Sequence, residues 1–413
     1  MRTTTAANGP IVTACVMFAA LAACGGGGTS SAGSQASPVA PVSGPAPGAT
    51  PPPAPAGLTL PAGFEASLVA SVGGARELAF TPDGDLLVGT TGSRIAIVPN
   101  ADGTGAAGIP QTFATLPDSQ AAGIAVGGGA VYAGTQFGVY KISYTAGDRV
   151  AKTAPQKIAS FRPGGAAGHS TTSLAFAGGT LYASVGSSCN ACVETDPTRA
   201  KIFSMGPGGE NLTPIAQRIR NAIALAVNPA TGTLWAGVAG QDGLAQGHPY
   251  EIFDGVTTHA AVADYGWPDC EENRHAYTTG ANCSSTIEPA VEFPAYSTPI
   301  GAAFYPANPT GPYAFPVSYR GGAFVALHGS WHTNAAGVRI VGPHVAFVAF
   351  RGDTPAKPVD WNDPAAQWSE FFGGFQDASG NRIGTPTGVA VGPNGSLFVA
   401  DDSAGTIYRI RPH

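Results

Sequence analysis

The stretch Leu78–Val88 reads LAFTPDGDLLV, which is an apolar strand, a Pro-Asp-Gly turn and a second apolar strand. Turn residues between two short apolar runs predict a β-hairpin. The phrase recurs along the chain, and this recurrence decides the fold class. Five further copies follow, at residues 124–133 (IAVGGGAVYA), 174–183 (LAFAGGTLYA), 223–236 (IALAVNPATGTLWA), 302–326 with an insertion, and 389–400 (VAVGPNGSLFVA).

Six hairpins, most of them followed by further strand-like segments, predict an all-β protein: a six-bladed β-propeller of four-stranded blades. Early copies are spaced about 45 to 50 residues apart, and later copies are separated by inserted loops. A β-sandwich is the main alternative, but a sandwich does not require a repeated phrase. We expect residues 64–69 to complete the blade that contains residues 389–410 and so to close the ring.

The composition agrees with a protein made of short strands and turns. Charged residues make up 11% of the chain, and the 413 residues include 58 glycines and 36 prolines. A helical protein carries more Glu, Lys and Arg. The net charge of −6 provides no basic surface, so we expect no nucleic-acid partner.

The N-terminus has the features of a targeting segment. Arg2 precedes an apolar run at residues 11–22, and Leu21-Ala22-Ala23-Cys24 is similar to a bacterial lipobox. We therefore predict a lipoprotein signal peptide (1–23), a lipidated Cys24 and a disordered Gly/Ser/Pro-rich linker (24–57) before a propeller domain at residues 58–413. The predicted location is the periplasmic side of the cell envelope, lipid-anchored at the outer membrane. An ordinary secretory signal that contains Cys24 is the alternative.

Four cysteines remain after the predicted processing: Cys189, Cys192, Cys270 and Cys283. An exported compartment is oxidising, so two disulfides are expected. The sequence allows three connectivities, and the local pairs Cys189–Cys192 and Cys270–Cys283 are our prediction. A catalytic redox pair or a zinc site are the alternatives, and Val193 after Cys192 does not fit a c-type haem attachment.

Blade geometry predicts where polar residues converge. Loops that enter the first strand of a blade and loops that leave the second strand lie on the same face, around one mouth of the channel. A lone Ser or Thr there is usually a loop cap, but His169 and Arg220-Asn221 stand on adjacent blades and favour a functional site. The predicted ring contains Arg76, Thr90, Gln120, Gln136, His169, Ser187, Ser188, Arg220, Asn221, Gln241, Asp242, Ser297, Thr298, His328, Asp401, Asp402 and residues 385–387.

Six phrases occur together and in order along the chain: Gly168-His169-Ser170, VGSSCNACVETDPTRAKIF (185–203), RIRNAIALAVNPATGTLW (218–235), YGWP (265–268), FPVSYRGGAFVALHGSW (315–331) and DDSAGTIYRI (401–410). This ordered set resembles the glucose/sorbosone dehydrogenase family, the soluble pyrroloquinoline quinone (PQQ) propellers, and most closely its L-sorbosone dehydrogenase-like branch. The resemblance covers the chain from about Leu60 to its C-terminus, and it is specific because the phrases occur together.

The resemblance implies a chemistry for the mouth. His169 corresponds to a general base that takes a proton from a substrate hydroxyl while hydride passes to the quinone. Arg220 and Asn221 correspond to residues that hold PQQ, because an arginine fork fits carboxylates and oxyanions.

The resemblance also implies a calcium site. Gln241 corresponds to a residue that contacts the cofactor, and Asp242 and Gly243 correspond to residues that bind calcium, an ion that prefers oxygen ligands. Tyr265 corresponds to a tyrosine near the same ion. Trp267 in the same phrase is interpreted as a buried structural aromatic.

Four threonines depart from the family pattern. Thr90, Thr172, Thr333 and Thr385 stand where relatives usually carry an arginine, or in the first case an arginine or glutamine. PQQ is a tricarboxylate, and each lost charge-assisted contact weakens binding by roughly 1.5–3 kcal/mol. The cations that remain to compensate are Arg76, His328, His332 and Arg382.

Three functions are therefore weighed. The first is an exported PQQ-dependent dehydrogenase that oxidises a sugar or a related alcohol or aldehyde and passes electrons to an external acceptor. The second is a cofactor-less, lipid-anchored propeller that binds a carbohydrate or a protein. The third is a calcium-dependent, lactonase-type hydrolase, for which Asn221, Asp242, Asp401 and Asp402 are the candidate ligands.

Overall fold

The structure, a computed structural model, describes residues 52–244, 247–335 and 337–413. The predicted signal peptide, Cys24 and most of the predicted linker lie outside these residues. Nearly every regular element is a β-strand, and the two helices are single 3-10 turns at Val256–Thr258 and Val317–Tyr319. None of the described helices has the length and apolar character needed to cross a membrane.

Six sheets of four main strands form the blades of a six-bladed β-propeller, as the repeated hairpin predicts. The first strand of the chain is β1 (Phe64–Ser71). Blade one contains β2 (Ala75–Phe80), β3 (Leu86–Thr90), β4 (Arg94–Val98) and β5 (Gln111–Thr115). Blade two contains β6 (Gly123–Gly127), β7 (Ala130–Thr135), β8 (Gly138–Ser143) and β9 (Gln156–Ser160). Blade three contains β10 (Thr172–Ala177), β11 (Thr180–Val185), β12 (Lys201–Met205) and β13 (Thr213–Gln217).

The later blades carry the longer insertions. Blade four begins with β14 (Ala222–Val227), β15 (Leu234–Val238) and β16 (Glu251–Gly255). The chain then forms β17 (Ala263–Asp264), which pairs with β13 at the edge of blade three, and a separate two-stranded sheet of β18 (Cys270–Glu271) and β19 (His275–Ala276). Blade four is completed by β20 (Val291–Phe293). Blade five contains β21 (Pro299–Phe304), β22 (Ala323–Leu327), β23 (His344–Val348), the short pair β24 (Phe350–Arg351) and β25 (Thr354–Pro355), and β26 (Trp368–Phe372). Blade six contains β27 (Pro386–Val391), β28 (Leu397–Asp401) and β29 (Thr406–Pro412).

The two ends of the domain close the ring. Strand β1 pairs antiparallel with β29, from Phe64 opposite Pro412 to Ser71 opposite Thr406, and becomes the outermost strand of blade six. This confirms the predicted closure by residues 64–69. Upstream, Pro53 bridges Ser67 of β1, so the described end of the predicted linker range lies along this strand.

Two glycines show how the repeat builds the ring. Gly84 has φ +90 in the turn of the first hairpin, a conformation that glycine adopts without a Cβ clash. Gly388 begins the apolar part of β27, where a Cβ would lie 2.1 Å from the main-chain oxygen of Arg76 on blade one. A side chain at residue 388 would therefore push the innermost strands of blades six and one apart.

The hydrophobic core is divided among the blade interfaces. Six apolar clusters of the described residues each join two neighbouring blades, which is how flat sheets bury both faces in a ring. The cluster between blades five and six is the most aromatic, and it includes Phe64 of β1 packed edge-on against Phe315 and Phe371. Closure of the ring is thus stabilised by burial as well as by strand pairing.

Candidate functional site

The loops of blades three and four meet at one mouth of the channel. Thr172 at the start of β10 pairs with Val185 at the end of β11, so the preceding and following loops share one face. The main-chain N–H of His169 donates to the Ser187 carbonyl over 2.9 Å, and the Ser187 N–H donates to the Arg220 carbonyl over 2.7 Å. His169 and Arg220 are therefore brought together as the sequence predicts.

The imidazole of His169 is held in one tautomer. Its Nδ1 lies 3.1 Å from the Ser187 carbonyl oxygen and 3.0 Å from Ser187 Oγ. The Ser187 hydroxyl donates its own proton to the Cys189 carbonyl over 2.6 Å, so both Ser187 atoms accept from His169. The proton is thus on Nδ1, and Nε2, which has no hydrogen-bond partner among the described residues, presents its lone pair.

The surroundings keep His169 neutral. Burial, together with the positive charges of Arg220 and Arg199, lowers the pKa of the His169 imidazole to about 4, against the hydrogen bond to Ser187. Arg199 is 3% exposed, and it donates to the carbonyls of His169 and Ser187 from behind the imidazole. A buried imidazole beside two guanidinium groups carries no proton on Nε2 at neutral pH.

Arg220 is almost enclosed by acceptors. Its Nε donates to the Asn190 carbonyl over 3.0 Å and its Nη1 to the Ala239 carbonyl over 3.2 Å. Its Nη2 donates to Asn190 Oδ1 over 2.8 Å and to Asp242 Oδ2 over 3.3 Å. Four of the five guanidinium N–H groups are thereby engaged by described residues, and one Nη1–H remains for a ligand.

Asp242 joins blades four and five at the mouth. Its Oδ1 lies 2.9 Å from His332 Nε2, while its Oδ2 faces Arg220. Both carboxylate oxygens therefore have a nitrogen partner, and the oxygens left for a cation are main-chain carbonyls. Gly243, the next residue, is exposed and has φ +86.

The other predicted site residues lie at different depths. Asn221 and Gln241 are 6% and 4% exposed, and Gln241 donates to the Pro268 carbonyl over 3.3 Å. Tyr265 is buried, with its hydroxyl donating to Asp254 over 2.7 Å, so no contact joins it to Asp242. Trp267 is 2% exposed, in keeping with a structural aromatic.

Two buried carboxyl groups lie next to the loop that carries Asp242. Glu251 accepts the N–H of Gly240 over 2.8 Å and that of Tyr296 over 3.1 Å. Burial raises the pKa of Glu251 to about 7 and that of Glu271 to about 8. Both acids are buried beside the predicted calcium-binding stretch, and Glu251 holds that stretch through the N–H of Gly240.

A second charged cluster occupies the mouth at blades one, five and six. Asp402 accepts from Arg76 Nη1 over 2.8 Å and lies 3.2 Å from His328 Nε2. Thr385 donates its hydroxyl to the same carboxylate. Two of the cations expected to compensate for the missing arginines are therefore already paired with one aspartate.

Three of the four threonine departures are accounted for by local strand and loop contacts, and the fourth, Thr385, is the donor to Asp402. Thr90 is buried and donates to the Arg94 carbonyl, Thr172 is buried at the start of β10, and Thr333 is exposed and bridged to Arg339. Arg382, another candidate cation, donates to main-chain carbonyls, including that of Ser330.

Both predicted disulfides are present. Cys189 is bonded to Cys192 and Cys270 to Cys283. Among the described residues, the single group of three metal-binding side chains with donor atoms within 4.8 Å is Cys189, Cys192 and Glu194. Its two sulfurs are bonded to each other, so this group offers no thiolate pair for zinc.

A cleft of about 400 Å³ lies on the outer side of the His169 and Arg220 loops. Two residues that contact the site also line this cleft. Arg199 donates to the carbonyls of His169 and Ser187, and Trp267 donates to the Asn190 carbonyl. The cleft is lined by three basic residues (Arg199, Lys201 and Arg218) and three acidic residues (Glu194, Asp196 and Asp269).

Two residues of the site were missed by the sequence reasoning: Asn190, which binds both Arg220 and Asp242, and Arg199, which donates to the His169 carbonyl. Ser187 was predicted to lie in the ring, but its role in orienting the His169 imidazole was not predicted. Asn190 and Arg199 lie in the phrase 185–203 that carries the family resemblance, so that phrase was the available signal. Their contacts join different loops and cannot be read from the order of residues.

The comparison with protein families gives one match over the whole domain. The model of the TrAA12-like family matches residues 58–413. An uncharacterized protein of Borreliella burgdorferi is 25% identical over 235 residues. That alignment covers 56% of this chain, and it spans 56% of the length of the curated relative.

Solved structures share the fold. The calcium structure of a Trichoderma reesei carbohydrate-active enzyme of family AA12 has a TM-score of 0.70 at 20% identity, covering 86% of this chain and 97% of that one. The holo form of the pyranose dehydrogenase PQQ domain from Coprinopsis cinerea has a TM-score of 0.69 at 17% identity, with the same coverage of 86% and 97%. At these identities the likeness establishes the propeller architecture.

Proposed function

The chain belongs to the TrAA12-like family over residues 58–413, and from this premise we propose that it is an exported PQQ-dependent dehydrogenase of sugars or related alcohols and aldehydes. The observation that carries the proposal is the state of His169. Its Nδ1 proton is directed to Ser187, whose main-chain N–H binds the Arg220 carbonyl, and its Nε2 is left unprotonated. A neutral, oriented imidazole beside an anion-binding guanidinium is what base-assisted oxidation of an alcohol requires.

The donor set of the mouth suits a quinone and a calcium ion. Arg220 supplies a positive charge and one remaining N–H, and Asn221 and Gln241 supply amide groups on the same loops. The carbonyl of exposed Gly243, and the second lone pair of the Asp242 carbonyl that also accepts from Asn190 Nδ2, are hard oxygen donors of the type that calcium prefers. The names of two structural neighbours support the choice, since one is a calcium structure and the other a holo PQQ domain.

Each residue then has a role in the reaction. His169 Nε2 takes the proton of the substrate hydroxyl, and Ser187 accepts from Nδ1–H and stabilises the imidazolium that forms. Arg220 holds an anionic group of the cofactor, with Asn190 fixing the plane of its guanidinium. Arg220, Asn221 and Gln241 would hold the quinone, which would supply a hydride acceptor, and the Asp242 and Gly243 carbonyls would hold calcium, which would supply Lewis-acid polarisation. Turnover would require an external electron acceptor.

The location of the protein is part of the proposal. Lipidation of Cys24 places the propeller on the periplasmic side of the cell envelope, tethered by the linker to the outer membrane. Cys24 lies outside the described residues, so this step rests on the sequence alone.

The pairing of cations with aspartates favours a second candidate function. Arg76 and His328 both contact Asp402, and His332 contacts Asp242, so these three side chains already have acidic partners within the protein. A mouth whose basic side chains are already paired suits a neutral carbohydrate or a protein surface better than a tricarboxylate. The hydrolase alternative gains no support, because no carboxylate cluster of metal-site geometry occurs among the described residues.

One experiment separates these functions. The purified full-length protein is titrated with PQQ, with and without calcium, and dye-linked oxidation of aldoses and alcohols is then measured. Calcium-dependent binding and dye reduction support the dehydrogenase. Absence of quinone binding at high micromolar concentration, with calcium present, excludes it and leaves the binding module.

A further inference from the structure

Asn190 is the hydrogen-bond centre of the site. Its main-chain oxygen accepts from Arg220 Nε over 3.0 Å and from Trp267 Nε1 over 3.1 Å. Its Oδ1 accepts from Arg220 Nη2 and from the N–H of Asp242, both over 2.8 Å, and its Nδ2 donates to the Asp242 carbonyl over 2.7 Å. The Asn190 side chain therefore fixes both the guanidinium group of Arg220 and the main chain of Asp242 in the predicted calcium-binding stretch.

This centre is built on an exposed loop. Asn190 and Ala191 are both exposed, and they lie between the bonded Cys189 and Cys192. The loop is held by the hydrogen bonds of Asn190, by those between Ser188 and Glu194, and by the covalent link that closes it on either side of Asn190 and Ala191. The same loop reaches His169, because the Cys189 carbonyl accepts the Ser187 hydroxyl that sets the imidazole tautomer.

From these contacts we propose that the Cys189–Cys192 disulfide is a redox-sensitive latch that keeps Asn190 in place as the positioning residue for Arg220 and Asp242. The proposal rests on the proposed function and deepens it, because it makes cofactor binding at the same site depend on the thiol–disulfide state. Asn190 acts through its neighbours and has no direct part in the chemical step.

The two disulfides differ in access to solvent. Cys270 and Cys283 are 1% and 6% exposed, whereas Cys189 and Cys192 are half-buried and the next residue, Val193, is 79% exposed. A small dithiol therefore reaches Cys189–Cys192 first. One of its thiolates attacks a cysteine sulfur and breaks the S–S bond, and its second thiol then displaces that cysteine. Two electrons and two protons pass to the protein, and the dithiol leaves as a cyclic disulfide.

Reduction has a local consequence. With the link broken, the loop samples other conformations, Asn190 leaves Asp242, and the Asp242 N–H loses its acceptor. Arg220 loses two of its four acceptors at the same moment. The strands of blades three and four keep their own ladders, so the fold persists while the site loosens.

The test combines hydrogen exchange with quinone titration on the full chain. Dithiothreitol is added until alkylation and mass spectrometry show free Cys189 and Cys192 with Cys270–Cys283 intact. Exchange is then followed in peptides that cover Asp242 and, as internal reference, β14 and β15. The variants are Asn190→Ala and the double change Cys189→Ser with Cys192→Ser. The matched control is Asn282→Ala, an asparagine in the loop of the other disulfide.

Three samples are expected to show at least tenfold faster hydrogen exchange at Asp242 than untreated wild type: reduced wild type, Asn190→Ala and the double cysteine variant. The exchange rates of β14 and β15 are expected to stay unchanged in all three. PQQ affinity falls by tenfold or more in the same samples, and the Asn282→Ala control and its dithiol response match wild type. Unchanged exchange at Asp242, or faster exchange with unchanged PQQ affinity, overturns the positioning role. If wild type binds no PQQ, the dehydrogenase proposal fails, and the exchange data alone decide whether the latch holds Asp242.

Discussion

Ser187 Oγ lies 3.0 Å from His169 Nδ1 and has already given its own proton to the Cys189 carbonyl. This relationship decides which ring nitrogen of His169 is basic. The proton of the neutral ring stays on Nδ1, and Nε2 is left to receive a proton from a substrate. The orientation comes from a residue 18 positions along the chain, across the β10–β11 hairpin.

The first prediction follows from that tautomer. His169→Gln is expected to lower turnover with a sugar substrate by about 10² to 10⁴, the usual contribution of a positioned general base. PQQ affinity should stay within about twofold of wild type, because the histidine is not assigned to hold the cofactor. Ser187→Ala, which loses one of two acceptors for Nδ1–H, serves as the graded control with a smaller loss, about tenfold. Full activity in His169→Gln removes this histidine from the mechanism.

The pH dependence of activity provides a second prediction. Burial, then the charge of Arg220, lowers the pKa of His169 to about 4, so the basic form persists well below the ordinary histidine range. The acid limb of kcat/KM for wild type is expected near pH 4. In Arg220→Ala the limb should move toward pH 6.5, because one cause of the depression is gone. An acid limb that stays in place in Arg220→Ala would show that another group controls it.

A third prediction separates binding from chemistry. Arg220→Ala is expected to weaken PQQ binding about 10- to 100-fold, since a charged partner of an anion contributes roughly 1.5–3 kcal/mol. The matched control is Arg218→Ala, two residues earlier, whose guanidinium contacts the Gly266 carbonyl and Asp269 instead of the mouth. The measurement is a PQQ titration with calcium present. Equal losses in both variants would mean that Arg220 has no specific role.

The fourth prediction concerns Glu77, which lies at the central channel. Glu77 accepts the N–H groups of Ile124 over 3.1 Å and Leu174 over 3.4 Å, and burial raises its pKa to about 7 despite Arg76. The folded state therefore holds this proton more tightly than the unfolded state. Its contribution to stability is complete below about pH 4.5 and is lost as pH rises through about 7.

Glu77→Gln removes this titration while keeping an oxygen for the two N–H groups. The unfolding free energy of the variant, relative to wild type, is therefore expected to be higher at pH 8 than at pH 5. Denaturant unfolding at the two pH values measures the difference. Other buried acids, including Glu251 and Glu271, titrate in both proteins and cancel in the comparison. If the unfolding free energies of Glu77→Gln and wild type differ by the same amount at pH 5 and at pH 8, the raised pKa of Glu77 is contradicted.

The fifth prediction concerns the N-terminus. Cys24→Ala is expected to move the protein from the membrane fraction to the soluble periplasmic fraction, because the thiol that carries the lipid is gone. Cys15→Ala, inside the predicted signal peptide, is the matched control and should remain in the membrane fraction. Retention of Cys24→Ala in the membrane fraction would contradict the lipobox interpretation.

The sequence by itself determined the architecture. Apolar runs separated by Gly, Pro, Asn and Asp recur as six hairpins, and both the strands and the ring closure follow from this local pattern. The sequence allowed three connectivities of the four cysteines, and short separation favoured the local pairs that the structure contains. Because adjacent blades repeat one geometry, the position of His169 and Arg220 at a common mouth could be predicted from their place in the repeat.

Only the tertiary structure decided which groups face one another within that mouth. Asp242 and His332 are 90 residues apart and pair across two blades, and Asn190 reaches Asp242 from another loop. The structure also buries the Tyr265 hydroxyl against Asp254. Strand patterns are local and repeat with a fixed period, whereas hydrogen bonds between loops depend on the path of each loop after folding. That path also sets the burial and the neighbouring charges that fix the pKa of His169.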